Sequence, residues 1–143
     1  MVRIGGSRLY LPIAVDGGLV SVGDGHAVQG DGEVAGPALE CPMERAELEF
    51  LLHDGPPLSM PRANAPIGWI TFGLHESLDE AWVIAALGML DLMGAEFGVE
   101  RREALSLCSL LVDLHVSQVV NDVKGVHAIL PHGLIRSSAP EVG

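Results

Sequence analysis

The chain has 143 residues, with 19 Asp and Glu against 8 Lys and Arg, a net charge of -11, and 48% hydrophobic residues. That length fits one domain with a real core. The acidic balance excludes nucleic acid and anionic membranes as partners, because such a surface repels phosphate.

In chain order, two short apolar runs at 8–15 and 19–22 flank Asp16, Gly17 and Gly18, turn chemistry that predicts a hairpin. The hairpin leads into a glycine-rich run at 23–36. A strand is predicted over 33–40, and the alternation of Ala46, Leu48, Phe50 and Leu52 predicts a half-buried strand. Gly55, Pro56, Pro57 and the stretch 61–66 read as loops, and 67–74 as a further strand. Ser77 and Glu80 have the spacing of a capping box before a long apolar segment, which predicts a helix from Leu78 to about Glu96 stopped by Gly98. With so little polar face, this helix is predicted to be buried nearly all round. A second helix is predicted over 100–114, its apolar stripe formed by Ala104, Leu107, Cys108, Leu110 and Leu111. The β-branched runs 116–120 and 126–130 predict a closing hairpin, and 136–143 a loose tail. The fold class expected is α+β: mostly-β, sandwich-like sheets with two helices inserted in the C-terminal half, as a single domain over 1–135.

Cys41 and Cys108 lack a C-x-x-C spacing and read as reduced, structural thiols without a nearby basic partner. No signal segment is evident and the apolar stretch around 81–93 is short for a bilayer, so a cytoplasmic location is expected. The high apolar fraction predicts association, most simply as a homodimer or higher oligomer.

Residues 23–36 carry the chemistry. Five glycines there separate Asp24, His26, Gln29, Asp31 and Glu33. Glycine at this density is tolerated where a chain turns tightly or lets a ligand approach its backbone. Carboxylates with an imidazole can ligate a metal or move protons; the other reading is a polar turn held by hydrogen bonds from Asp24 and Asp31. Asp113, Gln118 and Asn121 fit capping and turn roles, and His127, alternating with apolar residues, fits a core position. His53, His75 and His132 have no neighbours that single them out.

Several stretches together resemble the acetamidase/formamidase family: residues 9–12, the run 22–34, Asp79 to Ala81, Arg102 to Leu105, 112–121 and 124–128. His115 stands where that family's pattern would carry an arginine-like residue. Family members are longer, and the resemblance implies a β-rich N-terminal half ahead of this portion, with a separate N-terminal chain as one possible partner. It also implies hydrolysis of a short linear amide, formamide or acetamide, by water activated on a divalent metal, zinc or else calcium. Asp24 and His26, two apart and so on one side of an extended strand, are then metal ligands. Glu33 is third ligand or general base, Asp31 a carboxylate orienting His26, and Gln29 a donor to the oxyanion. A non-catalytic remnant or binding module is the rival reading; a cupin-like metal site, lacking a His-x-His pair, comes third.

Overall fold

The computed structural model describes residues 6–52, 55 and 57–136. The elements are β1 (Arg8–Tyr10), β2 (His26–Val28), β3 (Leu39–Glu40), β4 (Arg62–Ala65), β5 (Gly68–His75), α1 (Leu78–Phe97), α2 (Arg101–Leu111), β6 (Asp113–Gln118) and β7 (Lys124–Pro131). The architecture is α+β, as expected. Five antiparallel strands form one sheet in the order β1-β4-β5-β7-β6, and β2 and β3 form a second, two-stranded sheet.

β5 and β7 make the centre because both are long enough to pair over their whole length, from Gly68 opposite Pro131 to His75 opposite Lys124. Strand alternation gives this pair two different faces. Val126, Ala128 and Leu130 of β7 pack with Ala81, Ala85, Met89, Leu92 and Met93 of α1, forming the larger core. The opposite face carries Ala63, Ala65, Ile70 and Ile129, a second and smaller cluster.

The helix lies unusually close to the sheet at Gly73. A Cβ built on that residue would stand 1.9 Å from the Ala81 carbonyl oxygen, so only glycine permits the approach. Thr71, buried beside it, donates from Oγ1 to the Ala85 carbonyl at 2.7 Å, which satisfies the hydroxyl inside the core. α1 ends as predicted, with Gly98 in the left-handed conformation at φ 69. Its start differs: Ser77 sits at the N-cap without a side-chain cap hydrogen bond, so the capping box is not made. One face of α1 is buried, while Trp82 and Leu87 are exposed, so the helix is not covered all round. α2 is capped by Glu100, whose carboxylate accepts from the backbone N–H of Arg102 and of Glu103. It stops at Leu111, earlier than predicted, because the next residues join the sheet as β6.

The N-terminal third departs further from the sequence reading. β1 pairs with β4 rather than with residues 19–22, so 61–66 is a strand-bearing segment and the predicted opening hairpin is not formed. The predicted strand at 46–52 is also absent, and Leu48, Phe50, Leu51 and Leu52 are exposed. Alternation sets which face a strand shows but cannot create the partner edge that its backbone needs. The closing hairpin is present as β6 and β7. His53, Pro56 and most of the predicted tail lie outside the described residues. No single helix among the described residues is long and apolar enough to cross a membrane.

Candidate functional site

The glycine-rich run folds into a turn, a three-residue strand and a second turn. Asp24 takes a left-handed backbone at φ 59, and Glu33 does the same at φ 42. Between them β2 pairs with β3, placing His26 opposite Glu40, with a register shift before Val28. This pairing, together with the backbone hydrogen bond from Cys41 N to Gly25 O at 3.1 Å, brings residues 24–26 against 40–41. Asp24, Gly25, Glu40, Cys41 and Pro42 line an open hollow of about 280 Å³.

His26, next in sequence to the lining residue Gly25, has both ring nitrogens occupied. Its Nδ1 is 2.9 Å from Gln29 Oε1, and its Nε2 is 3.1 Å from Asp24 Oδ1. An amide oxygen can only accept, so Nδ1 carries a proton and Gln29 fixes the ring's orientation. The Gln29 hydrogen bond is the largest cause that raises the His26 pKa above its ordinary 6.5; desolvation comes next and opposes it, and the charge of Asp24 adds a smaller rise. Donor atoms of Asp24, His26 and Glu40 lie within 4.8 Å of one another. Asp24 and His26 thus converge, through a turn rather than through strand alternation, since β2 begins only at His26.

Asp31 is directed elsewhere. Its Oδ2 lies 2.9 Å from His115 Nδ1 on β6, and Val119 N donates to Gly32 O at 2.9 Å, so the turn docks on the outer edge of the main sheet. That hydrogen bond from His115 holds the Asp31 carboxyl below its ordinary value. His115 pairs in register with His127 of β7, and the two rings stack at 5.1 Å and 10°. His127 Nδ1 and Ser117 Oγ are 2.7 Å apart. Burial lowers the pKa of His127, with the neighbouring His115 acting in the same direction.

Of the residues read from the sequence, Asp24, His26 and Gln29 are therefore together, while Asp31 belongs to a second cluster. Glu33 makes the turn that joins the two: its N–H donates to Gly30 O at 3.2 Å and its carbonyl accepts from Gly36 N at 2.9 Å. Glu40 and Ser117 had no site role in the sequence reading, which took Cys41 for a structural thiol and noted His115 only as a departure from the family's pattern. Glu40 is the last residue of the predicted strand 33–40, but its pairing with His26 depends on a tight double turn that leaves only two residues of that strand.

Residues 3–59 match the Acetamidase/Formamidase family. The fold is similar to the crystal structure of an acetamidase from Bacillus halodurans, at 32% identity and a TM-score of 0.70 over 88% of this chain. The acetamidase/formamidase resemblance holds on a partial chain. A predicted acetamidase/formamidase from Thermoanaerobacter tengcongensis is similar at 28% identity and a TM-score of 0.73, and an acetamidase from Yersinia enterocolitica at 28% and 0.72, each over 88% of this chain. The chain spans only 42%, 42% and 38% of those three acetamidase-type chains, respectively. No curated protein matches.

Proposed function

We propose that this chain is the site-bearing portion of an amide hydrolase acting on short linear amides of the formamide or acetamide type. The convergence of donor atoms of Asp24, His26 and Glu40, two of which line an open hollow, in a chain similar to solved acetamidases over most of its length, carries this reading. The donor set fits a divalent metal such as zinc: one imidazole and two carboxylates, with the second imidazole nitrogen held by Gln29 as ligating histidines usually are. Asp24, His26 and Glu40 would hold it, with Glu33 as the nearby acid left to accept a proton. A bound divalent cation supplies Lewis-acid polarisation of the amide carbonyl and lowers the pKa of a coordinated water to roughly 7.

The chain's own groups do the rest. Gln29 keeps Nε2 of His26 aimed at Asp24, which prevents the ring from rotating away from that carboxylate. Glu33, close enough for its charge to raise the His26 pKa, takes the proton from water and returns it to the departing ammonia. The hollow is open and has room for a one- or two-carbon amide.

Ammonia release from formamide and acetamide, measured alongside metal content, tests the reading. Asp24→Ala should lose the metal of the hollow together with turnover; metal content unchanged in that variant removes Asp24 from the ligand set. A binding module that keeps the fold is the second reading, favoured by the chain's spanning about two-fifths of the solved relatives; it gives metal without turnover. The exposed Leu19, Val20, Phe50, Leu51 and Leu52 support association with a second copy of the chain. A monodisperse monomer in light scattering counts against that partner.

A further inference from the structure

We propose that Asp31, His115 and His127 form a second metal site, separate from the hollow at Asp24 and His26, that takes a first-row divalent cation of borderline softness such as Zn(II) or Co(II). Three elements distant in sequence supply its donors: the turn after β2, the edge strand β6, and the central strand β7. One donor atom from each residue lies within 4.8 Å of the others. The proposal does not rest on the hydrolase reading.

The site is built before any ion arrives. His115 and His127 are direct cross-strand partners with nearly parallel rings, so both imidazoles present to the same face of the sheet. Each ring is anchored through Nδ1, one on Asp31 and the other on Ser117. With the His127 Nδ1 proton donated to Ser117 Oγ, its Nε2 offers a lone pair, and burial keeps this ring neutral at pH 7. Metal–ligand bonds of about 2.0–2.1 Å at a tetrahedral angle place neighbouring donors roughly 3.3 Å apart. The 2.9 Å between Asp31 Oδ2 and His115 Nδ1 is within a few tenths of an ångström of that spacing.

Two nitrogens and one oxygen make a set that selects zinc-like ions over magnesium and calcium, which prefer all-oxygen shells. The ion would also act as a staple. The 30–33 turn meets the main sheet through the Asp31–His115 pair and the Val119–Gly32 hydrogen bond. A bound metal would take the place of the proton between Asp31 and His115 and bring in His127, tying the turn to β7 as well as β6.

The test is metal stoichiometry on the full chain, stripped with chelator and titrated with Zn(II) or Co(II) under a large excess of Mg(II), which removes ions held only by surface carboxylates. Wild type should bind two equivalents, and His115→Gln one. The double variant Asp24→Ala/His26→Ala should retain one equivalent, and filling it should shift the imidazole NMR signals of His127. Asp31→Asn repeats the test at a position on the surface turn, so misfolding of one variant does not decide the matter. Two equivalents retained in His115→Gln, or a single wild-type equivalent that survives in His115→Gln and vanishes in Asp24→Ala/His26→Ala, overturns the second site; the latter leaves the hydrolase reading standing. A single equivalent with the reverse pattern supports the second site and removes the metal from the hollow instead.

Discussion

Gly73 and Gly88 face the same helix–sheet interface and should respond oppositely to one added methyl group. At Gly73 the new Cβ would fall 1.9 Å from Ala81 O and 2.7 Å from Ala85 N, both backbone atoms of α1. Ordinary contact needs about 3.4 Å or more, so α1 must retreat by roughly 1.5 Å, opening gaps around Met89 and Met93 on the same face. Overpacking of this kind costs typically 1–3 kcal/mol, and because no side chain can rotate out of the way the upper value, about 3 kcal/mol, is expected. In a domain of this size that corresponds to a fall in Tm of roughly 6–12 °C. At Gly88 the Cβ would stand 3.5 Å from Thr71 Cβ, an ordinary contact inside a helix. Gly88→Ala should therefore gain roughly 0.5–1 kcal/mol from the better helix propensity of alanine. Urea unfolding followed by far-UV circular dichroism reads both variants. A Gly73→Ala protein as stable as wild type would refute the close seating of α1 on β5, and with it the account of the core.

Three further outcomes are expected. In metal-free protein, NMR titration should find His26 titrating above 6.5 and His127 below it. Buried beside His115, Ser117 and Asp31, His127 then costs stability as pH falls below about 6.5, where the unfolded chain takes up the proton first, whereas the contribution of His26 is complete below 6.5 and is lost as pH rises through its folded value. A shared midpoint near 6.5 would contradict both environments. Gln29→Leu removes the largest cause of the raised His26 pKa, so that midpoint should fall toward 6.5, and metal affinity at the hollow should weaken roughly 10–100-fold by isothermal titration. Glu100→Ala deletes both side-chain cap hydrogen bonds of α2 and should cost about 1 kcal/mol in urea unfolding; no change would mean that the exposed cap is replaced by water without loss.

The C-terminal half was legible because its elements carry their own signals. α1 has an apolar run ended by a glycine, β7 has a β-branched, apolar stretch interrupted by His127, and the β6–β7 hairpin has a polar turn between β-branched runs; all three recur in the structure. The N-terminal third was not, because the apolar runs 8–15 and 19–22 and the alternating stretch 46–52 read as strands yet, apart from β1, find no pairing edge among the described residues. The converse error was at Arg62–Ala65, where flanking prolines suggested a loop although the adjacent β5 offered a partner edge. The site shows the same division. Asp24, His26 and Gln29 are close in sequence and their meeting could be anticipated, whereas Glu40 opposite His26 and His115 beside His127 are set by strand register, which one sequence does not display.

The left-handed backbone at Asp24 and Glu33 sets protein evolution against itself at these two places. A glycine at either would relax the chain by roughly 1–2 kcal/mol and spoil no packing that an exposed turn depends on. It would also erase a carboxylate. A chain that keeps the acids forgoes an easily available gain in robustness, whereas one without the hydrolysis proposed above would lose no chemistry by taking glycine at either place.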